Sequence, residues 1–172
     1  MKLSVWPLQA IATYTHHPDK GTELMAHKGM TEQLPHRRFL EQLLTQTEGK
    51  NALHYKLLPS SRDYIGADAG AGGLSFRYVV GQDRSRIELY IARKEALANK
   101  KLFDNLCSHK RKIDSAFGEE LSWERLDGSK SCRVAHRMLG GVKDEPHWQE
   151  IQTALIDGMV RLEKAILPFI GT

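Results

Sequence analysis

The stretch "LSFRYVVGQDRSRIELYIA", residues 74–92, constrains the fold of this chain more than any other. Leu74, Phe76, Tyr78 and Val80 alternate with Ser75, Arg77 and Val79. Beyond the turn "GQDRS", Ile87, Leu89 and Ile91 alternate with Arg86, Glu88 and Tyr90. Alternation at period two puts the apolar set of each strand on one face. So short a turn joins antiparallel neighbours only. The chain must therefore build an antiparallel sheet whose apolar side needs a cover, and helices are the available cover.

Three helical stretches supply it. "PHRRFLEQLLTQTEG" opens at Pro35, carries Phe39, Leu40, Leu43 and Leu44 as a stripe, and stops at Gly49. Residues 94–117 read as one long central helix, with Leu97, Phe103, Leu106, Ile113 and Phe117 at helical spacing and Gly118 as its end. The last helix has Asp144 as N-cap and Pro146 just inside its start. Trp148, Ile151, Leu155, Met159, Leu162 and Ile166 form its buried stripe, and Pro168 ends it. Between the second and third helices, "LSWERL", with Leu121, Trp123 and Arg125 on one side, turns at Asp127-Gly128 into "SCRVAHRML". The order is helix, two or three strands, helix, hairpin, helix. It predicts one α+β domain over residues 36–172: an antiparallel sheet of four to five strands, with a long central helix and a C-terminal helix packed on it. Residues 1–35 are expected to form an arm or extension, mostly loop with room for one short helix.

Four glycines crowd "DYIGADAGAGGLSF". A phosphate-cradling loop runs into a helix N-terminus, whose amides and dipole hold the anion. These glycines run into a strand, and no Gly-Lys-Ser/Thr follows. They are read as a strand connection, with glycine supplying positive φ or close backbone approach.

Several classes are excluded on composition. No stretch approaches the ~20 apolar residues of a membrane helix, and the N-terminus lacks a signal-peptide core. A cytoplasmic protein without a membrane partner is expected. Cys107 and Cys132 stand in a helical and a strand pattern and read as buried thiols, with no CxxC pair for a zinc ribbon.

Candidate chemistry is sparse. A restriction-type nuclease needs acids on adjacent strands and a lysine around magnesium. Asp19-Lys20 falls in a loop, Glu48 and Lys50 at a helix end, and Glu88 is followed two residues on by Tyr90 rather than lysine. His16, His17 and Asp19 make a weak metal pattern. Cys132 and His136 share a strand face but lie about 13 Å apart, too far to act as a pair. No catalytic residue, metal ligand or cofactor is assigned.

The runs "HRRFLEQLL", "SRDYIGADAGAGGLSFRYVV", "RIELYIAR", "NKKLFDNLCSHKRKIDSAFGEELSWERLDGSKSCRVAHRML" and "MVRLEKAILPFI" resemble a bacterial and archaeal family, domain of unknown function 4268, over about residues 36–170. Members of that family often follow restriction-nuclease-like domains. The resemblance therefore implies a setting in restriction or phage defence, and no catalytic residues. This chain shows no such nuclease domain before residue 36. It is expected to act as a free-standing subunit or with a partner that supplies the rest.

The formal net charge is +4, with 25 Lys and Arg against 21 acids, so where the cations lie matters more than their sum. Lys94, Lys100, Lys101, Lys110, Arg111 and Lys112 decorate the central helix. Arg125, Lys130, Arg133 and Arg137 sit on the second hairpin, and Arg77, Arg84 and Arg86 on the first. Interspersed acids allow a plain solvated, ion-paired surface. The functional alternative is a patch that contacts phosphates without reading bases. From it follows the leading expectation: a non-catalytic nucleic-acid-binding accessory module, DNA in the first instance, using Lys100, Lys101, Lys110, Arg111, Lys112, Arg125, Arg133 and Arg137. The alternative is a protein-interaction subunit, an adaptor or inhibitor docking on a protein of a defence system; nuclease activity comes third.

Overall fold

The computed structural model describes residues 20–54, 56–59 and 62–170, with side chains from Leu34 onward. The elements run α1 (Lys20–Thr47), β1 (Tyr64–Asp68), β2 (Leu74–Val80), β3 (Arg84–Ile91), α2 (Ala96–Ser108), α3 (Lys110–Phe117), β4 (Ser122–Glu124), β5 (Cys132–Leu139) and α4 (Trp148–Ile170), with one 3-10 turn at Glu145–His147 before α4. The five strands form one antiparallel sheet in the order β1-β2-β3-β5-β4. This is the α+β architecture the alternation demanded.

One face of the sheet is the core. Ile65, Leu74, Phe76, Tyr78, Ile87, Leu89, Ile91 and Val134 are buried on it, together with Phe39, Leu43, Phe103, Leu106, Phe117, Leu155, Met159 and Leu162 from the helices. Gly158 of α4 lets that helix approach closely, since a Cβ there would lie 2.9 Å from Ile87 Cδ1. Phe39 of α1 meets Trp148 of α4 edge-on at 5.3 Å, and Gln152 donates to the Phe39 carbonyl at 3.0 Å. The connector after α1 is pinned by buried polar groups. Asn51 Oδ1 accepts from the His54 backbone at 3.2 Å, Asn51 Nδ2 donates to Glu163 at 3.0 Å, and His54 Nε2 lies 3.1 Å from the Phe76 carbonyl. Burial, reinforced by the Glu163 charge, pushes the neighbouring Tyr78 hydroxyl far above its usual pKa.

Local departures from the sequence reading have physical causes. The first helix starts at Lys20 and carries Pro35 inside it. One missing N–H costs a single backbone bond, which so long a helix absorbs. The boundary expected at residue 35 thus falls within α1, while residues 1–19 lie outside the described residues. The central helix breaks at His109, which leaves helical geometry (φ −102°, ψ 9°). There Ser108 Oγ bonds the Asn105 carbonyl at 2.6 Å. Leu97 is 67% exposed rather than part of the stripe. Pro168 lies inside α4, which continues to Ile170. Asp144 makes no side-chain cap to the helix; its carboxylate accepts from the Gly141 amide at 3.0 Å instead.

The glycine loop joins β1 to β2 as an antiparallel hairpin. Gly70 (φ +82°) and Gly73 (φ +80°) take the left-handed conformation, and the Gly73 carbonyl accepts from Ala92 at 2.7 Å. The second hairpin turns differently from the Asp-Gly expectation. Its left-handed residue is Leu126 (φ 54°), and Ser129 N–H bonds the Leu126 carbonyl at 2.8 Å.

Candidate nucleic-acid interface

The eight cations singled out in the sequence fall into separate places. Lys100 is a correction. It is 8% exposed, and its Nζ donates to the carbonyls of Arg125 (2.5 Å), Leu126 (2.8 Å) and Ser131 (3.0 Å). With its donors spent on the β4–β5 turn, it is a structural residue and not a phosphate contact. Helical periodicity did not reveal this, because Lys100 and Lys101 differ only in which way they face.

Lys101, Arg111 and Lys112 are exposed, and none makes an ion pair with a described residue. Arg111 and Lys112 lie in the first turn of α3, which Lys110 opens directly after the His109 break. Lys110 beside them is committed to Asp114 at 2.8 Å and Glu120 at 3.1 Å, above the Trp123 ring. The hydrogen bonds it donates to Asp114 and Glu120 hold its pKa above the ordinary lysine value. Arg125 bonds Asp104 through two nitrogens, at 2.8 and 3.2 Å, and also meets Asp127. The first of these bonds keeps the Asp104 carboxyl below its usual range.

Arg133 and Arg137 lie on the other face of the sheet, the one turned away from the core. No described helix packs on it. Register fixes its layout in three rows. Tyr64, Val79, Arg86 and Arg137 form the first row. Gly66, Arg77, Glu88, Ala135 and Ser122 form the second. Asp68, Ser75, Tyr90, Arg133 and Glu124 form the third.

Two carboxylates organise the arginines. Glu88, 2% exposed, takes Arg86 Nε at 2.7 Å and Arg133 Nη1 at 3.5 Å. A carboxylate this buried persists only when paired. Glu124 takes Arg137 at 2.5 Å and Arg133 Nε at 3.3 Å. Burial opposes the charge of Glu124, but hydrogen bonds from Arg137 and Ser122 and the nearby Arg133 charge hold its pKa below the usual carboxylate value.

Arg77 is the exception. Its Cζ lies 3.8 Å from the Tyr90 ring centroid and 4.7 Å from that of Tyr64, so the guanidinium is stacked between two rings. Its Nε donates to Ser75 Oγ at 2.8 Å, and it pairs with no carboxylate among the described residues. Gly66 makes room for it, since a Cβ there would stand 2.9 Å from Arg77 Cγ. Sequence reasoning placed Arg77 on an outward position of the first hairpin. It missed the two tyrosines, because their convergence depends on register across three strands. The detectable signal was Tyr90, two residues after Glu88 on the outward side of β3.

The weaker candidates resolve structurally. Glu88 is the buried counter-ion just described. Cys132 packs against the Asn99 carbonyl and His136 against Phe117 at 5.0 Å, on the core face. Burial raises the Cys132 thiol pKa. His16, His17 and Asp19 lie outside the described residues. Among the described residues, no group of three or more His, Cys, Asp or Glu side chains could hold a metal ion, and no helix is long and apolar enough to cross a membrane.

No curated protein and no solved structure matches the chain. A family model does: the one described as a domain of unknown function, number 4268, matches residues 36–170. That span takes in the core half of α1, all five strands, both faces of the sheet and α4, and on it the chain belongs to that family.

Proposed function

We propose that this chain is a non-catalytic nucleic-acid-binding accessory module, working in a restriction or phage-defence system and taking DNA first. The observation that carries the reading is the set of exposed cations on α2 and α3 that make no ion pair with a described residue. Lys101, Arg111 and Lys112 are exposed and hold no carboxylate of a described residue. A phosphate can reach them without breaking an ion pair, unlike Lys110, Arg125, Arg133 and Arg137, whose partners a phosphate must displace. Binding through such lysines and arginines gains from counterion release and carries no sequence information. The defence setting rests on the family resemblance alone.

The test is duplex DNA binding across a salt series, with and without magnesium. Three phosphate contacts predict a log-log salt slope of about −2.7. Arg111→Glu with Lys112→Glu is expected to flatten that slope and weaken binding at every sequence tested. Absence of binding at low salt refutes the reading and favours the protein-interaction alternative. Magnesium-dependent shortening of the DNA replaces it with a nuclease.

A further inference from the structure

We propose that the open face of the sheet is a receptor for a single, unpaired nucleic-acid strand, centred on Arg77 and Tyr90. The inference deepens the nucleic-acid reading and rests on it, but uses different residues on the opposite side of the sheet from the helix layer.

The guanidinium of Arg77 projects from β2 on this face. Two rings flank it and Ser75 fixes its Nε. Both η nitrogens are left without a hydrogen-bond partner among the described residues. A guanidinium held this way has lost most of its rotamer freedom before any ligand arrives, and it offers two parallel N–H donors to an anion. That is the geometry of bidentate phosphate recognition. The local charge agrees. Arg77, Arg84, Arg86, Arg133 and Arg137 share this face with Glu88, Glu124 and Asp68, an excess of two positive charges. Glu88 is too buried to meet a ligand; its role is to hold Arg86 and Arg133 in place.

The aromatic rings select the strand state. Tyr90 has Arg77 on one side of its ring and, among the described residues, no further ring or cation stacked on it. A base can stack there only if it is not already stacked and paired inside a duplex. Flat sheets that combine aromatic rings with cations bind single strands in this way, bases on rings and phosphates on guanidinium or ammonium groups. A duplex brings phosphates to the arginines but no base to Tyr90.

Fluorescence anisotropy of labelled oligo-dT, beside a duplex of the same length, tests this on the full chain. Tyr90→Leu and Arg77→Gln should each weaken oligo-dT binding by about tenfold, the effect of losing one stacked base or one bidentate phosphate. Duplex affinity should move much less with Tyr90→Leu, whereas Arg77→Gln, which removes a phosphate contact, should lower both. Tyr90→Phe keeps the ring and should bind as the parent does. Circular dichroism and thermal unfolding identify any variant that fails to fold, in which case the contrast between Tyr90→Phe and Tyr90→Leu, or Arg77→Lys in place of Arg77→Gln, decides. Folded Tyr90→Leu and Arg77→Gln that bind oligo-dT like the parent overturn the inference. If Arg111→Glu with Lys112→Glu weakens binding in that case, the module reading stands and only the sheet face is removed from it. No binding of any nucleic acid by the parent refutes both.

Discussion

The ammonium of Lys100 sits under the β4–β5 turn and donates to the carbonyls of Arg125, Leu126 and Ser131. Leu126 between them holds the left-handed conformation at φ 54°, which a side chain pays about 1 kcal/mol or more to adopt. The charge-assisted bonds hold that turn closed. Removing the ammonium takes a donor from all three carbonyls, of which that of Leu126 keeps its bond from the Ser129 amide. Lys100→Met, which keeps the aliphatic stem, should destabilise the protein by about 2–4 kcal/mol, read from the midpoint of urea unfolding. Lys101→Met, one residue along on the exposed side, should change it by less than about 0.5 kcal/mol. Equal effects would remove the structural role given to Lys100. The two left-handed glycines of the β1–β2 loop separate backbone strain from crowding in the same way. Gly70 has open space where a Cβ would stand, whereas a Cβ on Gly73 would lie 2.8 Å from Arg93 Cα. Gly70→Ala therefore costs only the strain of its φ, about 1–2 kcal/mol. Gly73→Ala adds a backbone collision and should cost measurably more by thermal unfolding; the reverse order would mean that the loop relaxes.

Between elements, the short edge strand β4 is joined to β5 by three residue pairs, and by Glu124 reaching Arg133 and Arg137. The folded carboxyl of Glu124 titrates below its usual value. Its stabilisation is therefore fully present above the ordinary carboxylate pKa, roughly 4.3, and is lost as pH falls through the lowered folded value. Glu124→Gln should lie below the parent in urea midpoint at pH 7, with the gap closing as pH drops well under 4. A gap that stays constant with pH would assign the loss to packing instead of charge. The elements themselves were unequally legible. Period two exposed β2 and β3 because their inward residues are large: Phe76, Tyr78, Ile87, Leu89. The strand β1 was obscure because its inward positions are Ile65 and Ala67 among glycines. The α2–α3 break was invisible, since Leu106 and Ile113 keep helical spacing across it. Nor can periodicity show which of two adjacent lysines faces a carbonyl cage, or that Tyr64, Arg77 and Tyr90 meet. Those facts belong to register and turn geometry, set by contacts distant in sequence.

For the whole molecule, the layers predict a gradient of local stability. β3 is the centre of the sheet. Seven of its residues pair with β2 and all eight pair with β5, and α4 lies over it with Gly158 against Ile87. Breaking its hydrogen bonds requires separating both neighbours and lifting α4, which amounts to global unfolding. β4 is held from one side only, and its three residues are half-buried. Local openings start where few buried contacts resist them. Native-state amide exchange should therefore show Ile87 and Leu89 exchanging at the rate set by global stability, with the β4 amides bonded to β5 exchanging faster. Lys100→Met should speed exchange in β3 and β4 alike and leave the difference in place, because the β4-open state and the unfolded chain have both lost the turn that the ammonium holds. If β4 instead exchanges as slowly as β3, the hairpin and the central sheet open as one unit. The turn held by Lys100 would then be part of the cooperative core, and the sheet face bearing Arg133 and Arg137 would be as rigid at its β4 edge as at its centre.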